Sequence, residues 1–188
     1  MSNTTIGIIG GGQLGSMLST AAKNLNIKTI IISDDKDAPG QFFADEFIFC
    51  KYDNDIKIEE FCNRVDFITF EFENIPYSAL TKIDSIKKIN PKPSINKIVQ
   101  NRLSEKDFLN KNNIRTTSYI PINNENELKS SQDFIPGILK TCTLGYDGKG
   151  QYKINNENEI DNLKINFENK YILEKLVKLK KEISVIIT

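Results

Sequence analysis

Strand-like and helix-like patterns alternate from the fifth residue onward, and glycines make the first junction. The apolar run 5–9 (TIGII) leads straight into Gly10-Gly11-Gly12-Gln13-Leu14-Gly15, and residues 13–25 then carry helical spacing. A β-branched run follows at 28–33 (KTIIIS), a shorter one at 47–50, a helical stretch at 58–64 and a strand at 66–70 (DFITF). Pro76 opens a further expected helix over 76–86, where a missing N–H does no harm. Strands alternating with helices predict a parallel sheet covered on both faces. Residues 1–93 are therefore expected to form one α/β, Rossmann-like domain, closed by the break Pro91-Lys92-Pro93.

Past the prolines the pattern changes. Ser94 is a suitable N-cap for a single helix running to about 111. Short strands are expected at 118–121, 135–140, 151–154 and 171–176, with short helices over 124–131 and 157–167. This mixture predicts that 94–188 form a second, α+β unit. The last stretch, 182–188 (EISVIIT), alternates like a strand with nothing after it to pair with. An open apolar edge exposes unpaired backbone groups, so the chain is expected to be part of something longer.

Composition narrows the chemistry. There is no histidine, which excludes Ser-His-Asp and Cys-His catalysis and any metal site that needs imidazole. Lys+Arg and Asp+Glu are 25 each, a balance that predicts neither nucleic-acid nor anionic-membrane binding. Cys50, Cys62 and Cys142 are odd in number and widely spaced, which predicts reduced thiols in a cytoplasm rather than disulfides. No apolar run is long enough to span a bilayer.

Four motifs could carry function. The glycines at 10–15 meet G-x-G-x-x-G between a strand and a helix, and Asp34 ends the second strand where a ribose ligand would sit. A nicotinamide dinucleotide, another phosphorylated ligand and a plain tight turn all remain open there. At 69–76 (TFEFENIP), Glu71 and Glu73 would point the same way if the strand continued. They could bind a polar small molecule or cap the following helix. Lys140 precedes Leu144-Gly145-Tyr146-Asp147-Gly148-Lys149-Gly150-Gln151. Asp-Gly alone signals a hairpin, but with Lys140 as a compact cation upstream, a loop closing over phosphates is the better reading. Glu174-Lys175-Leu176-Val177, with Glu182 beyond, could line an adenine or simply be structural.

Taken in order, Gly-Gln-Leu-Gly, Thr-Phe-Glu-Phe-Glu-Asn, Asn-Arg-Leu-Ser-Glu-Lys, Gly-Tyr-Asp-Gly-Lys-Gly-Gln and Glu-Ile-Ser-Val resemble the 5-(carboxyamino)imidazole ribonucleotide synthetases. These are ATP-grasp ligases of bacterial purine biosynthesis, and the resemblance covers essentially the whole chain. It implies a Rossmann-like domain followed by the first part of an ATP-grasp domain. It also implies ATP-dependent carboxylation of aminoimidazole ribonucleotide by bicarbonate through carboxyphosphate. On the matching positions, Arg102 and Lys140 would hold the ATP phosphates, with Gly145, Tyr146, Asp147, Gly148, Lys149, Gly150 and Gln151 closing over them. Glu174, Lys175, Leu176 and Val177 would line the adenine, with Glu182 on the ribose. Gln13, Leu14, Glu71, Glu73 and Tyr146 would meet the imidazole ribonucleotide, and Asp147 and Lys149 would serve catalysis. The resemblance further implies magnesium, held by ligands expected beyond residue 188, a cytoplasmic location and a homodimer. It leaves the 188 residues with about half of an ATP site and, by expectation, little or no ligase activity alone. Another ATP-grasp ligase, such as a glycinamide ribonucleotide formyl-transferring enzyme or a biotin-dependent carboxylase subunit, and a nicotinamide-binding Rossmann protein stand as alternatives.

Overall fold

A computed structural model describes residues 4–145 and 150–185. The chain divides into two compact units, Met1–Gln100 and Asn101–Thr188.

In the first unit, β1 (Thr5–Ile9), β2 (Lys28–Ser33), β3 (Glu46–Phe49) and β4 (Phe67–Phe70) form one sheet in the order β3-β2-β1-β4. Every pairing in it is parallel. Parallel strands with helices on both faces are buried on both sides, and in β2 Thr29 to Ser33 are all buried. Helix α1 (Gln13–Asn24) turns Gly15, Ser16, Ser19 and Ala22 inward, a face of small residues that lets it lie close to the sheet. At Gly15 the approach is closest, since an added Cβ would lie 2.8 Å from the Gly10 carbonyl oxygen. The other face carries α2 (Asp55–Asn63) and α3 (Tyr77–Ile86). Their Ile58, Phe61, Leu80 and Ile83 join Ile9, Ile32 and Ile68 in the core. Gly7 makes room for Phe61, whose Cζ would lie 2.6 Å from a Cβ there. Helix α2 begins a turn earlier than the expected 58–64 because Asn54 accepts the Lys57 N–H as its cap.

The expected single helix over 94–111 is two. Pro93 opens α4 (Pro93–Val99), so Ser94 is not a cap. The helix then gives way to α5 (Arg102–Lys111), for which Asn101 is the cap. Asn101 is extended, and its side chain accepts from the N–H groups of Leu103 and Ser104. The division between the two units falls at this break.

In the second unit, β5 (Tyr119–Ile122), β6 (Gly137–Thr141), β7 (Gln151–Ile154) and β8 (Tyr171–Lys175) pair antiparallel in the order β5-β8-β6-β7. A short helix, α6 (Glu125–Lys129), contributes the buried Leu128. The helix expected over 157–167 is a 3-10 turn, Glu157–Asn162, followed by extended chain. Leu163, Ile165 and Phe167 pack against the core of Ile122, Leu139, Ile154 and Leu173. Their spacing of two matches an extended strand face and not a helix. Of the strand expected over 182–188, residues 182–185 have no regular structure and are exposed, and 186–188 lie outside the described residues.

Candidate functional site

The first candidate site lies where the strand order of the parallel sheet reverses. From β1 the chain moves outward to β2 and β3, then returns so that β4 lies on β1's other side. The loops after β1 and β4 therefore part at the carboxyl ends of their strands, which opens a ligand crevice in such sheets. A cavity of about 330 Å³ occupies this place. It is lined by the Gly10–Gly12 turn, Gln13, Leu14, Ser33, Asp34, Tyr52, Glu71 and Phe72, among others.

The glycine turn already holds a carboxylate. Gly12 N–H donates to Glu71 Oε1 at 2.9 Å. Gly10 has φ +101°, and a Cβ on it would lie 2.8 Å from that same oxygen. The turn is glycine so that Glu71 can enter it, and a chain carboxylate thus uses one of the amides that the motif offers to phosphate. Burial pushes the Glu71 carboxyl up, the Gly12 N–H opposes this, and the nearby Glu73 charge adds to it. Burial also pushes the Tyr52 phenol up, reinforced by the Asp34 and Glu71 carboxylates. The crevice is rich in acceptors and suits the hydroxyl and amino groups of a ligand better than its phosphate.

Gln13 and Leu14 are exposed and line this crevice. Glu73 is elsewhere. Strand β4 ends at Phe70, so the same-side arrangement expected for Glu71 and Glu73 does not form. Glu73 is exposed, and its carbonyl accepts from the Gln100 side chain. Tyr52 lies outside every sequence motif that points to a ligand. It also lines a neighbouring cavity of about 340 Å³ with Asp34 and Lys51.

The second candidate site is in the antiparallel unit. Glu174 on β8 is only 7% exposed. Its Oε2 accepts from Lys140 Nζ on β6 at 2.8 Å, and its Oε1 is 3.1 Å from Lys106 Nζ on α5. Burial acts to raise the Glu174 carboxyl, but the two ammonium groups outweigh it and hold the group below its ordinary value. Two cations on one carboxylate leave a local excess of one positive charge, which an anion would neutralise. Lys106 belongs to the Asn101–Lys106 stretch but had no assigned role. On α5, which buries no residue, it reads as a solvated lysine, and only the pairing of distant strands brings it to Glu174.

Arg102 anchors the segment that follows Lys140. Its guanidinium donates to the Thr141 carbonyl at 2.8 Å and to the Gly145 carbonyl, and its own N–H donates to Cys142 O at 2.8 Å. Gly150, at φ +68°, returns the chain, and its carbonyl accepts the Thr141 N–H at 2.9 Å. Gln151 pairs with Lys140 across β6 and β7. The expected Tyr146, Asp147, Gly148 and Lys149 lie outside the described residues. Of the adenine candidates, Glu174 turns its side chain to the lysines, and the Leu176 N–H is taken by Pro136 O. Lys175 and Val177 are exposed, and Glu182 lies in exposed irregular chain. Among the described residues, no three Asp, Glu or Cys side chains are grouped so as to hold a metal ion. No helix of the described residues is long and apolar enough to cross a membrane.

Residues 3–100 match the family model of the ribonucleotide synthetase preATP-grasp domain, and residues 107–188 match that of the ATP-grasp domain. The chain is 34% identical over 187 residues to an N5-carboxyaminoimidazole ribonucleotide synthase of Staphylococcus aureus (strain COL), covering 98% of this chain and 50% of that one. It is 38% identical to the enzyme of the same name from Brucella melitensis biotype 1, covering 97% of this chain and 52% of that one. Among solved structures, it is similar to an ADP complex of N5-carboxyaminoimidazole ribonucleotide synthetase. There the TM-score is 0.87 at 34% identity, with 95% of this chain and 48% of that one covered. The chain spans about half the length of the curated relatives it matches.

Proposed function

The chain belongs to the ribonucleotide synthetase preATP-grasp family, and on that premise we propose that it serves the ATP-dependent carboxylation of 5-aminoimidazole ribonucleotide. In this reaction ATP phosphorylates bicarbonate to carboxyphosphate, releasing ADP. The amine of the ribonucleotide then attacks the carboxyl carbon and phosphate leaves, giving the N5-carboxy product. The observation that carries the reading is the pair of ammonium groups, Lys140 and Lys106, on the single buried carboxylate of Glu174. A cationic excess sheltered from water favours a polyphosphate, because charges attract more strongly where solvent screens them less. Arg102 secures the chain next to Lys140 and so holds that ammonium's surroundings in place.

In the parallel unit, Glu71 and Tyr52 supply acceptors for the hydroxyl and amino groups of the ribonucleotide, with Gln13 and Leu14 at the entrance. Orientation and exclusion of water from a labile acyl phosphate are what such a reaction asks of the protein. Asp147 and Lys149 are proposed as catalytic groups on the strength of the family motif alone. Magnesium would accompany the ATP and neutralise its charge. The described residues offer no grouped ligands for it, so no step of this chain is assigned to the ion. A cytoplasmic location and a homodimer complete the reading.

Isothermal titration of the chain with ADP tests it. Binding that Lys140→Met weakens by about tenfold or more, corresponding to about 1.4 kcal/mol, is the expected result. Binding of equal strength in the variant would remove Lys140 from the nucleotide site.

A further inference from the structure

Lys106 has so far counted only as one half of a cationic pair, yet its geometry is as defined as that of Lys140. Glu174 lies on β8 between β5 and β6, opposite Tyr119 on one side and Ile138 on the other. Each of its oxygens has its own ammonium partner. The Lys106 side chain is 14% exposed. Its ammonium lies over the Tyr119 ring, 5.5 Å from the centroid. That ring is braced in turn by α5, since the Tyr119 hydroxyl donates to Asp107 Oδ1 at 2.7 Å and accepts from Asn110 Nδ2 at 3.0 Å. Lys106 is therefore fixed on two sides. The Lys140 side chain is the more exposed, at 21%.

A buried carboxylate with a single cation holds that cation firmly, because its departure would leave an uncompensated buried charge. A carboxylate with two cations can release one. We propose that Lys106 is a positioning residue that sets Lys140 free. By keeping Glu174 compensated, it lets the Lys140 ammonium leave Glu174 Oε2 and pair with a phosphate oxygen of a bound nucleotide. The phosphate step rests on the assignment of Lys140 in the proposed function. No bond is made or broken; one ion pair is exchanged for another, and Glu174 remains ionised and paired with Lys106 throughout.

The proposal gives the effect of removing Lys106 a sign opposite to that of a packing role. In Lys106→Met, Lys140 becomes the sole partner of Glu174 and is held more tightly. Trace acylation with acetic anhydride, read by mass spectrometry, should then find Lys140 less reactive than in the unaltered chain. Titration with ADP should find binding about tenfold weaker, or about 1.4 kcal/mol. Lys106→Arg, which keeps the charge, should restore both. In a Glu174→Gln background, Lys106→Met should no longer lower the reactivity of Lys140. A Lys140 that becomes more reactive in Lys106→Met would mean that Lys106 merely packs the sheet, and the proposal would fall. Full ADP affinity in Lys106→Met would overturn it while leaving the nucleotide site intact. Absence of ADP binding by the unaltered chain would overturn both this proposal and the nucleotide reading beneath it.

Discussion

Gly10→Ala probes the union of the glycine turn with Glu71. At φ +101° a side chain strains the backbone, at a cost of about 1–3 kcal/mol. The new Cβ would also lie 2.8 Å from Glu71 Oε1 and 3.2 Å from Glu71 Cδ. The carboxylate is the movable partner, so it rotates away and its bond from Gly12 N–H is lost. A hydrogen bond to a charged group contributes about 1.5–3 kcal/mol, but burial disfavours the Glu71 charge, and moving it toward water returns part of that loss. The expected sum is about 3 kcal/mol from the first unit. Amide exchange of β1 and β4 in graded urea, followed by mass spectrometry, reports that unit separately from the second. Repeating the substitution in a Glu71→Ala background leaves only the backbone strain, so the two changes should couple by about 1–2 kcal/mol. A loss below about 1 kcal/mol, or one unchanged without Glu71, would refute the idea that the turn is glycine to admit the carboxylate.

Other perturbations separate the remaining contacts. Asn101→Ala removes the acceptor for two N–H groups of α5 and should cost about 1 kcal/mol, visible as faster exchange at Leu103 and Ser104. Arg102→Gln should release the chain from Thr141 to Gly145 and lower local stability there by about 2 kcal/mol; unchanged exchange at these residues would contradict the anchoring role. Glu174, with its folded value depressed, contributes stability that is present above the ordinary glutamate value of about 4.3 and is lost as pH falls through the lower folded value. Glu174→Gln should flatten that acid limb in the second unit. Glu71 has the opposite sign, because its folded value is raised. The first unit should gain stability as pH falls through that value, and Glu71→Gln should abolish the gain.

The parallel sheet was legible because its information is local. Runs such as KTIIIS and DFITF, separated by helical spacing and punctuated by glycine and proline, leave few other arrangements. The glycine turn and the carboxylates after β4 could likewise be placed at the ligand end of the sheet. Which carboxylate enters the turn could not, since that depends on β4 ending at Phe70. The helix expected over 94–111 overlooked a stop that only side chains reveal. Gln100 turns to the carbonyls of Glu73 and Ile75, and Asn101 caps the next helix. Over 157–167, the period-two placement of Leu163, Ile165 and Phe167 was present in the sequence but was outweighed by the charged residues before it. Lys106 lies in a stretch that the family resemblance includes, but neither it nor Tyr52 carries a local signal of its role. A lysine on an exposed helix and a tyrosine in a turn acquire meaning only from Glu174 and Glu71, which the fold brings from far along the chain.

The central claim is that the crevice at Gly10–Gly12, Tyr52 and Glu71 accepts an aminoimidazole ribonucleotide and not a dinucleotide. A thermal melt of the chain with 5-aminoimidazole ribonucleotide or NADH added separately tests it most directly. A ligand at about 100 times its dissociation constant stabilises the folded state by about 2.7 kcal/mol. The account predicts a rise in Tm with the ribonucleotide, lost in Glu71→Ala, and no rise with NADH. A rise with NADH alone would contradict it and return the glycine turn to the dinucleotide reading.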